Sequence, residues 1–156
     1  MTMKYAVTSL FLACALLTCA RADVQLVAEI RLASDPTKAV WVVHRGKAAQ
    51  ISPTQVTRFR VLPGLADSSL VSFEAAEFPR FYLRHQKFTL FLHERQKLSP
   101  LFDDDATFRM IHLTGDKVRF EASKFPGKFI TQKDDGFLVL SKDPSLDQST
   151  FFLKRD

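Results

Sequence analysis

Ser72-Phe73-Glu74-Ala75-Ala76-Glu77-Phe78-Pro79-Arg80-Phe81-Tyr82-Leu83 returns 47 positions later as Arg119-Phe120-Glu121-Ala122-Ser123-Lys124-Phe125-Pro126-Gly127-Lys128-Phe129-Ile130. A repeat of that length is a supersecondary unit copied along the chain, and such units bury a shared core only when they stack or close on one another. An aromatic strand ends each copy: Thr57-Arg58-Phe59-Arg60-Val61, Thr107-Phe108-Arg109-Met110 and Thr150-Phe151-Phe152-Leu153. The chain therefore carries three units. The first and most diverged runs from Ile30-Arg31-Leu32-Ala33 through Trp41-Val42-Val43-His44, where Trp41 and His44 stand three apart as Tyr82 and His85 do in the second. The linkers Pro63-Gly64-Leu65-Ala66-Asp67 and His112-Leu113-Thr114-Gly115-Asp116 also correspond. Unit boundaries are expected near residues 23–66, 67–115 and 116–156.

Within each unit, apolar residues come in short runs with strand-like alternation, as in Phe81 to Leu83, Phe88 to Leu92, Val118 to Phe120 and Phe137 to Leu140, divided by Pro, Gly, Asp and Ser. A helix through Val24 to Leu32 is conceivable, but three related strand units argue against it. Each unit has room for about four strands of ordinary length. Three such units can close into a barrel capped by hairpins, which removes exposed sheet edges. The predicted fold is all-β, a β-trefoil of three pseudo-symmetric units.

Lys4, the apolar run from Ala6 to Ala20 and the small-x-small signature Ala20-Arg21-Ala22 read as a secretory signal peptide over residues 1–22, with Asp23 the first mature residue. The apolar run is shorter than the roughly 20 residues a membrane-spanning helix needs. No membrane span is expected, and the protein is expected to be secreted and extracellular. Both cysteines, Cys14 and Cys19, fall in the removed segment, so stability in an oxidising compartment must come from packing. Cleavage leaves 20 Lys and Arg against 17 Asp and Glu, too mild and scattered a balance for nucleic acid. The chain contains no Asn and thus no N-glycosylation acceptor. Of its 15 Phe, all but Phe11 lie beyond the signal segment, and Phe73/Phe120, Phe78/Phe125 and Phe108/Phe151 recur in register as packing layers would.

No Gly-x-Ser-x-Gly, cysteine nucleophile or His-x-x-x-His pair stands in the mature chain. Glu74 and Glu121 suggest the carboxylate pair of a glycosidase. They occupy one position in two copies, however, so symmetry sets them apart and favours a shared structural role. The run Asp103-Asp104-Asp105 lacks the alternating ligands and terminal Glu of a calcium loop. No metal, cofactor or catalytic residue is therefore expected. Read from the residues alone, the acidic run is a solvated turn or a ligand-holding group, and His85 is a strand residue or a ligand. Arg80, Arg84 and Lys87 could form a modest basic patch, though a solvated face is the simpler reading.

Pro63-Gly64-Leu65-Ala66-Asp67, Val71-Ser72-Phe73-Glu74-Ala75, Phe78-Pro79, Tyr82-Leu83-Arg84-His85, and Phe102 followed by Asp105-Ala106-Thr107-Phe108 resemble the arabinose-binding domain of B-type α-L-arabinofuranosidases, a family 42 carbohydrate-binding module. The resemblance covers the mature chain and is strongest in units two and three. It implies a β-trefoil whose units can each hold an arabinofuranose in a shallow pocket. It also implies that His85 and Asp105 grip neighbouring hydroxyls, with Tyr82 and Phe88 as walls, and that His44 keeps the histidine in unit one. A carboxylate and an imidazole suit a neutral sugar because they accept and donate hydrogen bonds at adjacent hydroxyls. Unit three departs from the pattern, with Gln132 and Gln148 at the paired positions, and in unit one the carboxylate falls near Gln55. Lys87 stands where the family commonly has Asn.

The expected function is a secreted arabinofuranose-binding module, non-catalytic by itself and without the enzyme's catalytic domain. One pocket lacks the avidity of several, so glycan binding is expected to be millimolar to sub-millimolar at best, or absent. The alternative is a trefoil interaction protein, inhibitor- or cytokine-like, acting on a protein partner through its loops.

Overall fold

The computed structural model describes residues 25–42 and 46–155. The expected signal peptide over residues 1–22 and the expected ligand His44 lie outside the described residues. Among the described residues the chain forms a 12-stranded sheet. The first unit supplies β1 (Leu26–Leu32), β2 (Ala39–Trp41), β3 (Gln50–Ser52) and β4 (Arg58–Pro63). The second supplies β5 (Val71–Ala75), β6 (Phe81–Gln86), β7 (Thr89–Glu94), helix α1 (Pro100–Asp105) and β8 (Phe108–His112). The third supplies β9 (Lys117–Ala122), β10 (Lys128–Gln132), β11 (Leu138–Lys142), helix α2 (Leu146–Ser149) and β12 (Phe151–Arg155).

The pairings close on themselves. β1 pairs β4, β4 pairs β5, β5 pairs β8, β8 pairs β9, β9 pairs β12 and β12 returns to β1, all antiparallel. The remaining strands form the hairpins β2–β3, β6–β7 and β10–β11. The hairpins are tied together by Val139 with Thr89, Ala48 with Phe91, and Gln50 with Phe137. A closed barrel with three hairpins over one end is a β-trefoil, and closure leaves the barrel no free edge.

Strand register makes the pseudo-symmetry concrete. Phe59 lies opposite Ala75, Phe108 opposite Ala122 and Phe151 opposite Leu32. Two residues inward on the paired strands stand Phe73, Phe120 and Ile30. All are buried at the barrel axis, where the Phe73 ring contacts Phe59, Phe108 and Phe120 at centroid distances of 6.2, 6.1 and 5.0 Å. The repeated phrase thus encodes the barrel's aromatic layer.

The two glutamates of the phrase have a local job. Glu74 accepts the backbone N–H of Arg80 (2.7 Å), and Glu121 accepts that of Gly127 (2.7 Å), at equivalent turns. Arg80 and Gly127 both adopt left-handed backbone, with φ of 71° and 83°. Each carboxylate therefore fastens its own unit's turn.

Three expectations need correction. Arg31 faces Ala39 as Glu74 faces Tyr82 and Glu121 faces Phe129, so Trp41 matches Arg84 rather than Tyr82. By the same count Val42 takes the place of His85. The acidic run is no solvated turn: it forms the end of α1, begun by Pro100 and capped by Ser99, whose hydroxyl accepts the N–H of Phe102. Phe88 lies outside the strand it was expected to begin, since β7 starts at Thr89.

Candidate functional site

β6 alternates its side chains across the sheet. Leu83 joins the barrel core and Tyr82 packs on Phe102 of α1, while Arg84 and His85, at the end of the strand, both reach Asp105. His85 is 3 % and Asp105 6 % exposed, and the two approach with Nε2 to Oδ1 at 3.4 Å. That contact is not aligned as a hydrogen bond, so both imidazole nitrogens are buried without one. The other carboxylate oxygen, Oδ2, accepts from the Arg84 guanidinium at 3.0 Å. Arg84 also lies over the Phe102 ring at 4.9 Å.

The α1 aspartates are all engaged. Asp103 takes two bonds from Arg95 (2.7 and 2.7 Å), Asp104 takes Lys124 (2.9 Å), and Asp105 takes Arg84. The helix is thereby clamped to β6, to the residue that follows β7 and to the third unit, which fixes where Asp105 stands. Burial holds the His85 imidazole below its ordinary value; the Asp105 charge opposes this, and Arg84 and Lys124 add to it. His85 is therefore neutral at pH 7.

Phe88 closes the site from outside. The two-residue β6–β7 turn puts Lys87 and Phe88 at φ of 50° and 65°. Such a turn favours Asn-Gly, and a left-handed side-chain residue costs about 1–2 kcal/mol. Backbone strain of this kind gathers at binding sites. In this conformation the Phe88 ring stacks on His85 (6.3 Å, 17°) and meets Phe125 edge-on (5.2 Å), while Phe125 meets His85 at 5.4 Å. Lys128 Nζ sits 4.6 Å from the Phe88 ring, which remains 39 % exposed.

The structure thus brings His85, Asp105 and Phe88 together. It sets Tyr82 apart, buried against Phe102 in a satellite cluster with Ala106, Leu62 and Leu65. Arg84, expected on a solvated face, and Phe125, expected in a core layer, both belong to the site. Arg84 could have been found within the Tyr-Leu-Arg-His phrase, whereas Phe125 arrives from another unit and leaves no local signal.

The counterparts in the other units differ in chemistry. Gln132 pairs with Leu138 as His85 pairs with Leu90, and it lines a cavity of about 240 Å³ with Gln148, whose amide donates to Asp134 (3.0 Å). In unit one Val42 stands at the histidine position, and counting three residues back from Phe59, as Asp105 stands from Phe108, puts Val56 rather than the expected Gln55 at the carboxylate position. Among the described residues no cluster of His, Cys, Asp and Glu is arranged to hold a metal, and no helix is long and apolar enough to cross a membrane.

Residues 25–152 match the sequence profile of the Alpha-L-arabinofuranosidase B (ABFB) domain. The fold is similar to that of a GH54 α-L-arabinofuranosidase complexed with arabinofuranosyl-α-1,2-xylobiose, with a TM-score of 0.72 at 20 % identity over 83 % of this chain and 31 % of that one. This chain therefore spans about a third of the length of that enzyme. An endo-β-galactosidase from Clostridium perfringens that releases GlcNAcα1-4Gal is similar at a TM-score of 0.68 and 14 % identity, over 84 % of this chain and 32 % of that one. The designed threefold-symmetric protein ThreeFoil is similar at 0.62 and 10 % identity, over 82 % of this chain and 97 % of that one. No curated protein sequence matches the chain.

Proposed function

The chain belongs to the α-L-arabinofuranosidase B domain family, and from that premise we propose that it is a non-catalytic carbohydrate-binding module taking an arabinofuranose at His85 and Asp105. The observation that carries the reading is the buried His85 imidazole with both nitrogens unbonded beside a carboxylate held in place by Arg84. Unmade bonds at a buried polar group cost about 1–3 kcal/mol. A sugar hydroxyl between Nε2 and Oδ1 recovers one of them, accepting from Nε2–H and donating to the carboxylate oxygen. Phe88 is the movable outer wall. Its turn swings aside to admit the ring, and the Phe88 and Phe125 faces then cover the sugar's apolar side.

Glu74 and Glu121 support the non-catalytic part of the proposal, since each is occupied by the backbone of its own turn. The leader-like residues 1–22 support secretion. Titration of the isotopically labelled protein with an arabinofuranosyl xylooligosaccharide tests the reading. Amides of 85–89, 105 and 125 should shift saturably at millimolar ligand, and His85→Gln, which installs the residue unit three carries, should abolish the shifts. Unmoved amides at that concentration would refute sugar binding at this site.

A second reading is favoured by one observation: Leu98 and Leu101 stand exposed on and beside α1, next to the clamped aspartates. Such apolar side chains suit a protein partner docking on the α1 face.

A further inference from the structure

We propose that the seam between the third and first units is a second sugar-binding site, independent of His85 and Asp105. A cavity of about 720 Å³ opens there, with Leu113 and Leu146 as its apolar wall and His112, Lys117, Asp147 and Thr150 as polar groups. Its volume suits one or two sugar rings.

The pseudo-symmetry explains why this seam is open. Its counterpart in the second unit is filled. There the β4–β5 connection, residues 64–70, folds down onto Thr107, so that the Thr107 hydroxyl accepts the N–H of Ala66 (3.1 Å) and donates to the Asp103 carbonyl (2.7 Å). Phe102, Leu65, Leu62 and Tyr82 pack the remaining space. Only glycine allows this approach, because a Cβ on Gly64 would stand 2.4 Å from the Asp67 carbonyl oxygen and 2.8 Å from the Thr107 methyl.

At the third unit both devices are missing. Leu113 takes the place of Gly64, the β8–β9 connection is only residues 113–116, and Ser145 stands where Phe102 stands. Thr150, the counterpart of Thr107, lines the cavity 5 % exposed with its hydroxyl unbonded. That hydroxyl is closed off from water in this conformation, so a ligand that displaces the cavity wall beside it would supply the bond it lacks. The groups around it fit a neutral sugar ring: C–H faces on the two leucines, and hydroxyls on the Asp147 carboxylate, the His112 imidazole and the Lys117 ammonium. This site is also distinct from the third-unit position matching His85, since Gln132 and Gln148 line a separate cavity.

The test is an amide-resolved titration of the whole chain with xylobiose and, separately, with L-arabinose. Saturable shifts are expected at residues 113–117 and 146–150, persisting in His85→Gln. Thr150→Val, which removes the hydroxyl at nearly constant volume, should weaken them about tenfold. Asp147→Ala, an exposed change that leaves packing intact, should do likewise. Shifts confined to 85–89 would overturn the seam site and leave the first reading standing, whereas shifts in the seam alone would do the reverse. Silence at 113–117 and 146–150 with both sugars, or affinity unchanged by both variants, overturns the proposal.

Discussion

Asp105→Ala removes the anchor on which the site geometry depends. Arg84 and Asp105 are paired at 3.0 Å, with their side chains only 13 % and 8 % exposed. At that distance and an effective dielectric of 20 the gross attraction is about 5 kcal/mol, most of it offset by the cost of taking both charges from water. Losing one partner is costlier than losing both, because the remaining guanidinium stays buried, and single removals of this kind cost about 3–5 kcal/mol. The Phe102 ring over Arg84 and the partial exposure of the pair favour the lower end, about 3 kcal/mol. In a domain of this size that lowers Tm by roughly 6–12 °C. Arg84→Met should also destabilise, but the double variant should recover part of the loss and give a coupling energy of at least about 1.5 kcal/mol in urea unfolding. Additivity within about 0.5 kcal/mol would refute the idea that Arg84 holds Asp105 in place.

Stability should fall on acidification through His85 and His93, whose imidazoles burial holds below the ordinary 6.5, with Arg84 adding at both and Asp105 opposing at His85. The unfolded chain then binds more protons than the folded one, so stability is intact above pH 6.5 and lost as pH falls towards the folded values, by at most about 1.4 kcal/mol per pH unit for each histidine. Urea midpoints between pH 7.5 and 5 should show this slope, and His85→Gln should reduce it to the His93 share; an unchanged slope would mean that His85 takes up its proton without cost. Glu121→Ala should cost about 1–2 kcal/mol by leaving the Gly127 N–H unbonded, read by hydrogen exchange at that amide. Phe73→Ala, at the meeting point of three rings on the barrel axis, should cost about 3–5 kcal/mol in thermal or urea unfolding; a loss below 1 kcal/mol would show that the aromatic layer closes around the gap.

The repeated phrase by itself determined the architecture. Alternation within Phe73-Glu74-Ala75 and Phe120-Glu121-Ala122 sends Phe and Ala inward and Glu outward. Copying that pattern three times leaves few ways to bury the aromatics other than a closed barrel. His85 and Asp105 became candidates through the resemblance of Tyr82-Leu83-Arg84-His85 and Asp105-Ala106-Thr107-Phe108 to the arabinose-binding family, since the repeated phrase ends at Leu83 and contains neither. Residue type sets Trp41 beside Tyr82, two positions out of register; the ladder of hydrogen bonds, which reads only backbone position, matches it to Arg84 instead. The partnership of Arg84 with Asp105, the Phe125 wall and the open seam under Leu113 depend on neighbours from other units. A single chain segment fixes which way a side chain points, but what it meets there is decided only when the three units close around the common axis.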